Sequence, residues 1–94
     1  MPYYVYITTN PARNVLYIGI TNDLRNRIAQ HYESRGTPQT FAGRYFCYNL
    51  LYFEEYTDSK AAISREKELK GWTRAKKDAL IATQNPQWEF LEVG

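Results

Sequence analysis

The sequence predicts an α+β fold: a small three-stranded antiparallel sheet with flanking helices, in the order ββαβαα. Three observations predict it. Two β-rich runs, "YYVYIT" at 3–8 and "VLYIGI" at 15–20, are separated by the turn-forming "TNPARN". A longer apolar run, "YFCYNLLYFEEY", fills 45–56. Capping residues then mark three helix starts, at Thr21–Asp23, at Thr57–Ser59 and at Thr73.

The first two runs form an antiparallel hairpin with a loop of about six residues, longer than the commonest hairpin loops. Placing Tyr6 opposite Tyr17 sets Val5 against Ile18 and Ile7 against Leu16. That register gathers the aliphatic residues on one face and both tyrosines on the other, and a slip by one would scramble both. The first helix starts near Asp23, with Thr21 or Asn22 as its cap, and buries a stripe of Leu24, Ile28 and Tyr32. Residues 34–44 are expected as a loop. The run at 45–56 is apolar enough for a central strand or one covered on both sides, with Phe46, Tyr48, Tyr52 and Phe53 in the sheet core. "TDSKAA" opens a second helix that runs to about Lys70 and ends at Gly71. Thr73 caps a third, which runs to about Thr83, and "NPQWEFL" follows it.

A chain of 94 residues that is 44% hydrophobic and 16% aromatic is expected to be one globular domain over 1–94. The net charge of +2 does not by itself suggest a polyanion partner. One cysteine, Cys47, excludes an intrachain disulfide framework and a cysteine metal cage, and fits a reducing compartment. No apolar run approaches the roughly eighteen residues of a membrane span, and no charged-then-apolar leader opens the sequence. The expectation is a soluble cytoplasmic protein with no membrane partner. A glycine-rich phosphate loop and an HExxH zinc motif are absent.

Three groups of residues could carry chemistry. Arg27 and His31 lie four residues apart, on one stripe of the first helix. Singly, each reads as a core-edge residue, the arginine reaching past the apolar surface to solvent. Together, beside the tyrosines of the hairpin, they read as a cationic site for a phosphate. Glu66 falls amid Ala62, Ile63 and Leu69 on the buried face of the second helix. A carboxylate there needs a partner. It is either one half of an internal ion pair, for instance with Arg27, or a ligand for a hard cation such as Mg²⁺, which takes one or two carboxylates and keeps its waters. From Lys60 to Lys77 lie seven of the twelve Lys and Arg residues, against Glu66 and Glu68 only, with Trp72 among them. Such a segment is a solvated face or a groove for a phosphate backbone.

These residues occur in motifs. The chain resembles the GIY-YIG nuclease superfamily, specifically its small stand-alone bacterial members. The resemblance rests on "YVY" at 4–6, "YIG" at 17–19, "TNDLRNRIAQH" with Arg27 and His31, "AISREKELKGW" with Glu66, and "NPQW" with Asn85. Each motif is weak alone, and their order and spacing carry the signal. The first motif departs from the family in having Tyr4 where the name-giving glycine stands, but it keeps its third-position tyrosine, Tyr6.

The resemblance implies hydrolysis of DNA phosphodiester bonds with one divalent ion, Mg²⁺ or Mn²⁺, held by Glu66. It implies that Tyr6 helps to activate the attacking water, with Tyr17 beside it. Arg27 would neutralise the phosphate, and His31 would assist proton transfer or serve as the rival base. Gly19 would let the chain turn closely under the site, and Asn85 would support it from the last segment. Arg25, Lys67, Lys70 and Arg74 are the candidate nucleic-acid contacts. Contacts to phosphate carry no sequence information. Cleavage is therefore expected to be weakly sequence-specific or structure-directed, unless a partner protein supplies the target. A nucleic-acid-binding module without turnover, and an adaptor domain in which Glu66 and Arg27 form a core ion pair, are the alternatives.

Overall fold

The computed structural model describes residues 2–93. Three strands, β1 (Tyr3–Thr9), β2 (Leu16–Thr21) and β3 (Asn49–Tyr56), form one antiparallel sheet in the order β2-β1-β3. The helices are α1 (Leu24–Glu33), a single turn α2 (Phe41–Arg44), α3 (Ser59–Lys70) and α4 (Arg74–Gln84). The α+β class, the antiparallel sheet and the three long helices agree with the expectation.

The hairpin register differs from the expected one by two residues. Tyr6 faces Gly19, Ile7 faces Ile18 and Thr9 faces Leu16. Side chains alternate with a period of two, so this shift leaves every residue on its expected face. The loop supplies the reason. The Asn10 side chain accepts hydrogen bonds from the Asn14 and Val15 amides, and the Thr9 hydroxyl donates to the Val15 carbonyl at 2.7 Å. These bonds close the loop at Thr9–Leu16 and fix the pairing above it.

Each face of the sheet carries its own cluster. Val5, Ile7, Ile18, Leu51 and Tyr52 pack against Ala62 and Leu69 of α3 and Ile81 of α4. On the other face Tyr6 and Leu50 pack with Leu24 of α1, flanked by Ile28, Tyr17 and Leu91. Full burial of a side chain such as Leu69 or Ile81 contributes about 1.5–3 kcal/mol.

Several expectations on the third strand and the helices are corrected. The strand begins at Asn49, because Phe46 adopts a left-handed backbone (φ 58°) and breaks the extended run. It lies at an edge, with β1 central, so of the two expected placements the strand takes the second, covered on both sides. Its apolar character reflects cover on both faces together with an irregularity between Ile7 and Thr8. This brings Ile7 opposite Tyr52 and Thr8 opposite Leu50, and Leu51 joins Tyr52 in the α3–α4 cluster. The outer edge is covered as well: the Gln84 side chain bonds both the amide and the carbonyl of Phe53, and the Leu91 amide donates to the Leu50 carbonyl at 2.8 Å. Phe46 is exposed and lies outside the core. Ile63 is 42% exposed, because the buried line of α3 runs through Ala62 and Leu69, a full two turns apart. Tyr32 also leaves the buried stripe; its ring packs edge-on against Tyr48, with Arg35 over its face. Within the expected loop 34–44, Thr40 caps α2 by accepting from the Gly43 amide.

Candidate active site

The site grows from the β1–β2 pairing. Tyr6 points from central β1 toward α1 and is wholly buried. Its cross-strand partner is Gly19, where an added Cβ would lie 2.5 Å from Cζ of Tyr6 and 2.9 Å from Cε2 of Tyr17. Only a residue without a side chain leaves room for the phenol to lie across β2. The chain then turns directly into α1. The Thr21 hydroxyl accepts from the Asp23 amide at 3.1 Å, and the Asp23 carboxylate caps the helix by accepting from the Asn26 amide at 3.0 Å. This start sets the helical phase that turns Arg27 and His31 toward the sheet.

The Tyr6 hydroxyl meets His31 Nε2 at 2.7 Å. Tyr17 lies beside both, its ring centroid 5.4 Å from that of His31 and 6.3 Å from that of Tyr6. Tyr17, Arg27, His31 and Phe41 line a cleft of about 220 Å³. Among the described residues Arg27 has no carboxylate within ion-pair distance. Its charge is available to an anion in the cleft.

The electrostatics of the pair follow from this burial. Burial pushes the Tyr6 phenol well above its ordinary value; Tyr17 and Glu66 add to the rise and Arg27 opposes it. Burial, followed by the Arg27 charge, pushes His31 below 6.5. Near neutral pH Tyr6 therefore keeps its proton and His31 is an uncharged imidazole. With both neutral, the hydroxyl donates to Nε2 when the ring proton is on Nδ1.

Glu66 approaches from the opposite layer. Its side chain is 16% exposed, and its ion-pair partner is Lys70 on the next turn of α3, at 3.4 Å, rather than Arg27. Lys70 in turn lines a second cleft, of about 270 Å³, with Leu16, Tyr17, Ile18, Phe41 and Lys77. The two clefts share Tyr17 and Phe41. The α1 layer and the α3 layer thus meet around the β2 edge of the sheet, with Arg27 and His31 on one side and Glu66 and Lys70 on the other. Among the described residues no three His, Cys, Asp or Glu side chains are grouped to surround an ion. A cation at Glu66 would have one protein carboxylate and complete its shell with waters and phosphate oxygens, an arrangement that suits Mg²⁺.

Tyr6, Tyr17, Gly19, Arg27, His31 and Glu66 are thus brought to one edge of the sheet, and Asn85 is not. The Asn85 side chain donates to the Leu51 carbonyl at 3.0 Å and to the Glu89 carbonyl at 2.8 Å, and accepts from the Glu89 amide. It ties the last segment to β3, at the other edge. Of the candidate nucleic-acid contacts, Lys70 lines the second cleft and Lys67 is exposed. Arg74 is held by Asp78 at 2.8 Å and by the Asn14 carbonyl at 2.9 Å. Arg25 lines a separate groove of about 640 Å³ between α1 and the last segment, a larger space that holds none of the Tyr6–His31 group. Part of the basic segment is an internal network, in which Arg65 binds Glu54 and Glu68. Sequence reasoning did not single out Phe41, and it included Lys77 only as one member of the basic segment. Phe41 stands in a stretch that reads as loop, and its only signal is the Thr40-x-x-Gly43 cap pattern.

Comparison with known proteins gives the family. The model of the GIY-YIG catalytic domain matches residues 2–79. The chain belongs to the GIY-YIG family. GIY-YIG domains are nuclease domains, and the match spans every element from β1 through most of α4. The chain is 35% identical to a UPF0213 protein of Natronomonas pharaonis over 87% of its own length and 93% of the relative's. It is 38% identical to a UPF0213 protein of Haloquadratum walsbyi, over 83% of this chain and 84% of that one. A solution NMR structure of a UPF0213 protein from Bacillus halodurans superimposes with a TM-score of 0.57 at 26% identity, covering 95% of this chain and 92% of that one. No helix among the described residues is long and apolar enough to cross a membrane.

Proposed function

We propose that this GIY-YIG domain, read as a single domain over 1–94, is a metal-dependent DNA endonuclease that hydrolyses phosphodiester bonds with little sequence preference, choosing its target by DNA structure or through a partner protein. The observation that carries the reading is the Tyr6–His31 hydrogen bond at 2.7 Å, made by an imidazole that lines a cleft together with Arg27. A phenol bonded to a neutral imidazole is a two-member proton path. Tyr6 is buried behind His31, so the path operates once substrate binding admits the attacking water to its oxygen: that oxygen takes a proton from the water as its own proton passes to Nε2 of His31. The lowered pKa of His31 keeps that nitrogen open to receive it. Arg27 supplies fixed positive charge where negative charge grows on the phosphate oxygens. Tyr17 walls the cleft and orients the imidazole through its edge-on contact. Glu66 is the residue that would hold Mg²⁺ or Mn²⁺, which when bound would neutralise phosphate charge and favour departure of the leaving oxygen.

The test is cleavage of supercoiled, linear, single-stranded and branched DNA with Mg²⁺ or Mn²⁺, comparing wild type with Glu66→Ala purified in parallel. Metal-dependent cleavage by the wild type alone supports the reading. Equal cleavage by both proteins indicates a contaminant. No cleavage of any substrate by either favours the binding module.

A further inference from the structure

We infer that Phe41, backed by Tyr45, is a stacking platform for an unpaired base next to the scissile phosphate, so that the preferred substrate has an unpaired nucleotide there. This rests on the nuclease reading above and narrows its substrate. Phe41 and Tyr45 are 51% and 43% exposed and pack on each other with centroids 4.8 Å apart, so they form one contiguous aromatic patch rather than scattered rings. Nor is the patch a loose one. The Gly36 amide donates to the Gly43 carbonyl at 2.8 Å, the Cys47 amide to the Ala42 carbonyl at 2.9 Å, and Arg44 to the Pro38 carbonyl at 2.9 Å. Gly43 is packed so closely that an added Cβ would lie 2.7 Å from the Thr37 carbonyl oxygen. The turn that carries the rings is built to hold them still.

The rings lead out of the candidate active site in sequence. From His31 to Tyr17 the centroids are 5.4 Å apart, from Tyr17 to Phe41 6.3 Å in a stacked arrangement, and from Phe41 to Tyr45 4.8 Å. Phe41 also stands between the two cationic clefts, one holding Arg27 and the other Lys70 and Lys77. A strand with a phosphate in each cleft must pass its intervening nucleotide over Phe41. Aromatic faces bind bases by stacking whatever the sequence, but only a base that has left its neighbours offers a free face. Positive clefts on either side with an exposed ring between them match a single strand better than an intact duplex.

The test is equilibrium binding of fluorescently labelled oligonucleotides to the whole protein in EDTA, which separates recognition from turnover. The probes are a mixed-sequence single strand, the same strand with one abasic position, and the blunt duplex. The proteins are wild type, Phe41→Ala and Phe41→Trp. Wild type should prefer the single strand. Phe41→Ala should bind it on the order of 5- to 100-fold more weakly, with the salt dependence unchanged because the phosphate contacts remain. Phe41→Trp should restore binding, and the abasic probe should lose affinity for wild type but not for Phe41→Ala. Single-strand affinity that is unchanged in Phe41→Ala, or a wild type that prefers the duplex, would overturn the platform. Neither result would touch the nuclease reading, which the metal-dependent cleavage assay decides separately. Failure to bind any of the probes would also overturn the platform.

Discussion

Tyr6 and Gly19 face each other across the β1–β2 ladder, and the ring of the first occupies the space a side chain on the second would need. The glycine is therefore a packing requirement of the buried phenol rather than a turn residue. Gly19→Ala should push Tyr6 off His31 and destabilise the fold by about 1–3 kcal/mol, the usual cost of overpacking a filled core. Urea denaturation, with NMR of the His31 ring, checks this. A wild-type midpoint with unshifted His31 resonances would show that the contact yields without consequence.

Tyr6→Phe keeps the ring and removes only the hydroxyl that reaches His31. Stability should fall by about 0.5–1.5 kcal/mol, the net worth of one hydrogen bond. Cleavage should fall much further, on the order of 10²- to 10⁴-fold, because the proton path is cut. The comparison of single-turnover rates with denaturation midpoints is decisive: a rate loss no larger than the stability loss would remove Tyr6 from the chemistry.

His31 sets the acid side of the pH profile. Its folded pKa lies below 6.5, from burial and from Arg27, so the neutral imidazole persists to lower pH than in a free histidine. The rate should rise with pH through a midpoint below 6.5 and be level by neutrality. Stability follows the same sign. A depressed pKa means that the unfolded chain binds the proton first, so the contribution is intact above 6.5 and is lost as pH falls toward the folded value. His31→Asn should flatten both dependences. A rate midpoint above 6.5 in the wild type would contradict the assignment.

The extent to which this was legible in the sequence varied with the physics. The faces of the hairpin survived a register error of two because alternation repeats every two residues, whereas the register itself depended on Asn10 and Thr9 closing the loop. The helix starts near Asp23, Asp58 and Thr73 were readable because capping is a local interaction, although the cap of α1 is Asp23 itself and not the expected Thr21 or Asn22. Central and edge strands were not distinguished: β3 is apolar on both faces, yet the residues that cover its free edge, Gln84 and Asn85, are more than thirty positions away. At the site, the pairing of Arg27 with His31 followed from helical spacing. The partner of Glu66 obeys the same spacing, Lys70 lying four residues on, but the place of Glu66 on the buried face of α3 pointed across the sheet to Arg27 instead. Phe41 was unreadable because a single helical turn has no periodicity to detect.

Glu66 and Lys70, 3.4 Å apart, make a prediction about metal binding without DNA. A cation at Glu66 must displace or share the carboxylate with the lysine. Mn²⁺ should broaden the NMR signals around Glu66 selectively, Lys70→Ala should lower the Mn²⁺ concentration required, and Glu66→Gln should abolish the effect. Removing metal with EDTA should stop cleavage and added Mg²⁺ should restore it. Uniform broadening, indifferent to both substitutions, would count against Glu66 as the ligand.

Asn85 separates support of the fold from support of the reaction. Its side chain is buried and makes three hydrogen bonds, to the Leu51 carbonyl and to both backbone groups of Glu89. Asn85→Ala would leave those groups short of partners and should cost about 2–3 kcal/mol, given that each unsatisfied buried group costs about 1–3 kcal/mol. Asn85→Asp should do no better, because a carboxylate oxygen would then face two carbonyls where the amide donates. Both variants should cleave at close to the wild-type rate well below their unfolding midpoints, since the bonds lie at the β3 edge and the cleft lies at the β2 edge. Denaturation curves and initial rates measured at the same temperature check this. A large rate loss in a variant shown to be fully folded would mean that the β3 edge communicates with the Tyr6–His31 pair.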